Sequence, residues 1–271
     1  MDFNLPLNIQ DHYDTPANAP KLWAHKLFPH FQIFFKYKFL RINFHARKLS
    51  VRGEYPTEQW VRSSIRVMKL LESCGGRFHI TGIENIRNCK GPVVFIGNHM
   101  STLETMVLPF LIAQVKDVTF VVKDSLVKSW AFGPVMRSRD PIVVSRHNSR
   151  EDLVKVITRG QEILATGRSV AIFPQSTRRI EFRPEEFNSL GVKLASKAGV
   201  QVIPFALKTD FWLNGRFVKD LGPLDPNNKD VYFTFGEPMD ITGSGKEENK
   251  MIIDFIQKNL KDFQKLSGFK K

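Results

Sequence analysis

Cysteine is nearly absent: Cys74 and Cys89 are the only two among 271 residues. Two thiols cannot build a four-ligand zinc site, and with no secretory apolar region ahead of them both read as reduced. Long apolar runs are also missing. The best window, residues 28–44, is interrupted by Lys36, Lys38 and Arg41 and falls short of the roughly 18–20 apolar residues a spanning helix needs. The first fourteen residues are acidic and broken by Pro6, the wrong composition for a cleaved signal or an Arg-rich transit peptide. Glycine and proline, 17 and 15 residues, are too few for a collagenous or low-complexity chain. What remains, 42% hydrophobic and 25% charged, is enough to bury a sizeable core.

Acidic residues are the minority charge, 27 against 40 Lys and Arg, for a formal net charge of +13. Such a surface attracts polyanions, whether nucleic acid, anionic lipid headgroups or phosphorylated substrates. Residues 15–53 hold no Asp or Glu at all, yet carry eight cations: Lys21, Lys26, Lys36, Lys38, Arg41, Arg47, Lys48 and Arg52. Between them lie Trp23, Phe28, Phe31, Phe34, Phe35, Tyr37, Phe39 and Phe44. Interleaved rings and cations on a helix describe an element lying in a membrane interface, against a phospholipid surface. The competing reading is a helix whose rings pack on its own domain while its cations are solvated. Nucleic acid is not expected as a partner, because no RNP-like, zinc-finger or helix-turn-helix signature follows.

Beyond residue 54 the pattern becomes regular. Apolar residues at Trp60, Val61, Ile65, Met68 and Leu71 predict a helix over 59–72, ended by Cys74-Gly75-Gly76. Strands are predicted at 78–81, 92–96, 118–122, 142–144, 170–173, 201–207 and 231–235. Helices are predicted at 102–114, from Ser149 as cap to about 166, at 189–197, and at 246–260 behind a Ser244/Glu247 capping box. This alternation predicts an α/β fold, a mixed, largely parallel sheet flanked by helices, with a helical membrane-associating region at 1–74 and the α/β domain at 75–271.

Two strand ends carry chemistry. At the first, Val93-Val94-Phe95-Ile96-Gly97 runs into Asn98-His99, and a carboxylate, Glu104, follows in the first turn of a helix. Such a joint can set an imidazole beside the group that fixes its tautomer and supports its charge. The same Glu104 also completes a Ser101-x-x-Glu104 capping box, in which it would bond only backbone N–H groups. At the second, Phe173-Pro174-Gln175-Ser176-Thr177-Arg178-Arg179 ends a buried strand in hydroxyls and guanidiniums suited to holding phosphate, or in a merely solvated basic loop. A third strand end delivers Arg146, and 202–207 reads as core.

In this order the segments resemble the motifs of the glycerolipid acyltransferases typified by 1-acylglycerol-3-phosphate acyltransferase. The family's N-H-x-x-x-x-D is matched by Asn98-His99 with Glu104, its Ile-x-Arg-like segment by Ile142 to Arg146, its F-P-E-G-T-R by Phe173 to Arg178, and its V-I-P by Val202-Ile203-Pro204. The likeness covers about 77–236 and includes Phe187 to Ala195.

The resemblance implies transfer of a fatty acyl chain from acyl-CoA or acyl carrier protein, the co-substrates, to a hydroxyl of a lysoglycerolipid, with no metal and no other cofactor. It assigns His99 as general base and Glu104 as its orienting partner. Asn98, Arg146, Gln175, Ser176, Thr177 and Arg178 become substrate-binding residues, with Arg179 and Lys123 ranked lower. Because Gln175-Ser176 replaces Glu-Gly, the acceptor could be lysophosphatidate or another lysophospholipid or polar-lipid alcohol. No G-x-S-x-G elbow supplies a serine, which speaks against a lipid esterase and for direct attack without an acyl-enzyme. A non-catalytic lipid-binding module would explain the rings and cations but not the His-carboxylate pair. The expected location is a membrane surface, peripheral or monotopic, on its cytoplasmic face.

Overall fold

The computed structural model describes residues 9, 11–21, 32–175, 177–216 and 218–268. Within them, segments of two to seven residues assemble into one eight-stranded sheet: β1 (Tyr13–Asp14), β2 (Arg77–Thr81), β3 (Val94–Gly97), β4 (Val118–Lys123), β5 (Ile142–Val144), β6 (Ser169–Ile172), β7 (Val202–Lys208) and β8 (Asp230–Phe235). The order is β1-β2-β8-β7-β3-β6-β4-β5. The pairs β1/β2 and β7/β8 are antiparallel and every other pair is parallel. Strands β3, β6 and β7 are buried at every position, as strands covered on both faces must be.

Nine helices are seen among the described residues: α1 (Ile33–Val51), α2 (Thr57–Ser73), α3 (Ile83–Asn88), α4 (Thr102–Ala113), α5 (Asp124–Lys128), α6 (Gly133–Arg137), α7 (Ser149–Ala165), α8 (Leu190–Ala198) and α9 (Lys246–Gly268). Successive residues of β3 point to opposite faces: Phe95 joins a core with α1, α2 and α4, whereas Val94 and Ile96 join one with α7, α8 and α9. Helix α4 carries Pro109, which withdraws one backbone N–H from its ladder. Ser64 of α2 enters there, its hydroxyl accepting from the Phe110 N–H at 3.0 Å and donating to the Met106 carbonyl at 2.6 Å.

The structure departs from the sequence expectations at several ends. Asn148, not Ser149, caps α7, its side chain accepting from the N–H groups of Arg150 and Glu151. Helix α9 runs on to Gly268 because Phe263 continues the buried stripe of Ile252 and Ile256. The carboxylate that reaches back at its start is Glu248, onto Thr242, rather than Glu247 onto Ser244. Strand β1 and helices α3, α5 and α6, two to six residues long, went unpredicted because so few residues cannot show a period.

Within the basic aromatic segment, Trp23, Lys26, Phe28 and Phe31 lie outside the described residues. In α1 the rings divide. Phe35 and Phe39 are buried and meet the edge of Trp212 at 4.9 and 4.8 Å between centroids, so they are core rather than membrane contacts. Ile33, Tyr37, Phe44 and Val51 are exposed, and Arg41 lies over the Tyr37 ring. Trp130, between α5 and α6, is 68% exposed, packs edgewise on Phe44, and is covered by the Arg47 guanidinium. Helices α1 and α2 share one core with β2, β3 and β7, so packing is continuous across residue 74.

Candidate active site

Strand β3 ends at Gly97, packed so tightly on β7 that a Cβ there would lie 2.2 Å from the Phe205 ring. Beyond it the chain turns through Asn98. This side chain is 1% exposed, and both ends of its amide are used: Nδ2 donates to the Leu207 carbonyl at 2.8 Å, and Oδ1 accepts from the Leu207 N–H at 2.9 Å. Asn98, expected to bind substrate, instead pins the turn to β7. His99 is thereby delivered to the mouth of a cavity of about 1020 Å³, its ring stacked on Phe173 at 4.3 Å.

Both readings of Glu104 hold together, because an ionised carboxylate accepts from several donors at once. Oε1 accepts from His99 Nδ1 at 2.9 Å and from the N–H groups of Met100 and Ser101 at 2.5 and 2.7 Å. Oε2 accepts from the hydroxyls of Thr209 and Ser101 at 2.6 and 3.0 Å. Burial alone would push this carboxyl up, but the bonds and charge of His99 and the donors from Thr209 and Ser101 outweigh it and hold it below the usual carboxylate range. An ionised Glu104 requires the proton on Nδ1, which leaves Nε2 as the basic nitrogen for the cavity His99 lines. Thr209, 105 residues away in sequence, had no local signal to reveal it.

The cavity has two characters. The exposed Lys123, Arg146, Lys193 and Lys219, with the half-buried Thr177 and Arg178, line its solvent-facing mouth. Ile42, Trp60, Met106, Phe120, Phe132 and Val135, all buried or half-buried, give it an apolar wall as well. Residues of β4 from Thr119 to Lys123 all line it, so it runs beside that strand for about 13 Å at the usual rise per residue. Arg146 stands in the left-handed region at φ 61°, a turn held by Asp152 accepting from the N–H groups of Ser145 and Arg146 at 2.8 and 2.7 Å. Burial first, and then the charge of Arg178, lower the Arg146 pKa, as expected where two guanidiniums face one space.

The remaining expected contacts separate. Gln175 is 2% exposed and absent from the cavity wall; its Oε1 accepts from the His99 N–H at 3.0 Å. It therefore shapes the histidine turn, while its Nε2 is buried with no hydrogen-bond partner among the described residues. Ser176 lies outside the described residues. Arg179 is committed to Glu186 through two bonds of 2.8 Å, and its N–H donates to the His99 carbonyl at 2.9 Å. Asn214 and Asp220, from the loop after β7, line the mouth but stood in no motif.

With this geometry in view, the comparisons with known proteins are consistent. The family model described as Acyltransferase matches residues 77–208. This region is similar to the Acyltransferase family. Among curated relatives, the 1-acyl-sn-glycerol-3-phosphate acyltransferase of Pseudomonas aeruginosa is 29% identical over 64% of this chain and 65% of its own length. The probable enzyme of that name from Mycoplasma pneumoniae is 28% identical over 58% of this chain and 59% of its own. The matched region thus spans under two thirds of these relatives. The crystal structure of the 1-acyl-sn-glycerophosphate (LPA) acyltransferase PlsC from Thermotoga maritima superposes with a TM-score of 0.61, covering 89% of this chain and 92% of that one at 19% identity. The mixed, mostly parallel sheet is therefore a fold shared with that solved structure.

Proposed function

We propose that this protein transfers a fatty acyl chain from an acyl thioester, acyl-CoA or acyl carrier protein, to the free hydroxyl of 1-acylglycerol-3-phosphate, giving phosphatidate. The observation that carries this is the His99–Glu104 pair on the wall of a cavity lined by both cations and apolar side chains. The mouth suits a phosphate and the apolar wall an acyl chain. His99 Nε2 takes the hydroxyl proton while that oxygen attacks the thioester carbonyl. The C–S bond then breaks, and the thiolate leaves with the proton returned by His99, yielding ester and free thiol. Arg146, Thr177 and Arg178 hold the acceptor phosphate, and Glu104 supports the imidazolium while it carries the proton.

Exposed Ile33, Tyr37, Phe44, Val51 and Trp130, accompanied by Arg41, Arg47 and Lys48, support seating on an anionic membrane surface. No helix among the described residues is long and apolar enough to cross a membrane. Seating on the cytoplasmic face places the cavity where a soluble thioester and a membrane lysolipid meet. The test is thiol release from acyl-CoA and acyl carrier protein with a panel of lysolipids in mixed micelles. Acceptor-dependent release with lysophosphatidate, lost in His99→Ala, is expected. Folded, vesicle-bound protein that releases no thiol with any pair would replace this reading with a non-catalytic lipid-binding module.

A further inference from the structure

One cation of the mouth already has an anion. Arg178 Nη2 lies 2.7 Å from Asp220 Oδ1, and its Nη1 donates to the Thr102 hydroxyl at 3.0 Å. That hydroxyl in turn donates to Asp220 at 3.2 Å, closing a ring of three side chains at the start of α4. All but Thr102 line the cavity with His99. Asp220 arrives on the loop between Trp212 and Leu224, whose base is an antiparallel bridge reinforced by the Leu213 N–H to Pro223 carbonyl bond of 2.9 Å. Trp212 is buried against Phe35 and Phe39, so the loop springs from a fixed root. A second tether, from Asn214 Nδ2 to the Met100 carbonyl at 3.1 Å, holds it beside the histidine turn.

We propose that Asp220 sets the affinity of the acceptor site: its carboxylate occupies Arg178 until the acceptor's phosphate displaces it. This rests on the acyl-transfer reading and deepens it. A carboxylate tethered in contact competes at high effective concentration. A phosphomonoester brings nearly two negative charges and three acceptor oxygens, and Arg146 stands beside Arg178 to receive the surplus. Breaking the Asp220–Arg178 pair costs each acceptor that uses Arg178 the same amount, so Asp220 lowers acceptor affinity while the two guanidiniums themselves favour the more highly charged phosphomonoester.

The experiment compares wild type, Asp220→Asn and Asp220→Glu in two ways. In turnover, Asp220→Asn is expected to lower the KM for 1-acylglycerol-3-phosphate about fivefold, the scale of one partly exposed ion pair. The KM for lysophosphatidylglycerol falls by the same factor at most. Asp220→Glu, which keeps the charge, retains the wild-type values. In binding, calorimetric titration of the full chain with sn-glycerol 3-phosphate and with glycerophosphoglycerol shows the same gain without needing catalysis. An unchanged or raised KM for lysophosphatidate in Asp220→Asn overturns the proposal, a raised one marking Asp220 as a residue that only props Arg178. Circular dichroism and melting establish that the variants are folded. If no acceptor releases thiol, the acyl-transfer reading falls, while the titrations still decide the role of Asp220.

Discussion

Replacing Glu104 with glutamine separates its two duties. In the native protein Oε1 receives three N–H donors and Oε2 two hydroxyls. A glutamine carbonyl placed at the Oε1 position keeps all three N–H bonds. Its amide then meets two hydroxyls that rotate to accept, Ser101 turning its proton to the Thr209 carbonyl 3.0 Å away. The cap and the imidazole orientation survive, so the loss of stability is small, about 1–2 kcal/mol. What disappears is the charge facing His99 while it holds the proton. The expected result is a fall in kcat of about 10²-fold, near 2.7 kcal/mol of transition-state stabilisation, with little change in acceptor KM. Stability should also respond to acid. Because the folded carboxyl sits below its unfolded value, its ionisation stabilises above the unfolded value and that contribution is lost as pH falls through the folded one. The acid limb of a melting-temperature profile should therefore be flatter in Glu104→Gln. Thiol-release kinetics beside thermal melts measure both effects. A kcat within about twofold of wild type would reduce Glu104 to a helix cap and refute its support of a charged base.

Other perturbations have equally direct readouts. Asn98→Ala strands the buried N–H and carbonyl of Leu207, and should cost roughly 1–3 kcal/mol per orphaned group in a denaturant titration; an unchanged midpoint would contradict the pinning role. Removing both exposed rings in Phe44→Ala/Trp130→Ala should cut cosedimentation with anionic vesicles by about tenfold or more while soluble-acceptor turnover persists. Equal vesicle binding would move the membrane-facing surface elsewhere. Burial pushes the Cys74 thiol up to about 11, so alkylation at pH 8 should await unfolding by denaturant; prompt labelling of folded protein would show its packing to be open.

Much of this protein is written locally. Four-to-seven-residue apolar runs dictate buried strands, Gly97-Asn98-His99 dictates a turn, and Ser101-x-x-Glu104 dictates a helix start, because each depends on neighbours within a few residues. Those signals sufficed for the alternating α/β layout and for placing His99 and Glu104 at one joint. What no local pattern carries is the partner across the fold. Asn98 and Gln175 look like ligand contacts in sequence, yet tertiary packing sets the Asn98 amide on the Leu207 backbone and the Gln175 Oε1 on the His99 N–H, because buried backbone groups take whatever polar partner lies beside them. Phe35 and Phe39 read as members of a membrane-facing series until Trp212, more than 170 residues later, covers them. Thr209, which completes the shell of Glu104, and Asp220, which occupies Arg178, stand outside every motif. They are decided only when parallel strands bring distant loops to the same end of the sheet. Chemistry that needs one residue and its neighbours is legible from the chain; chemistry that needs charge balance between loops exists only once the sheet has set them side by side.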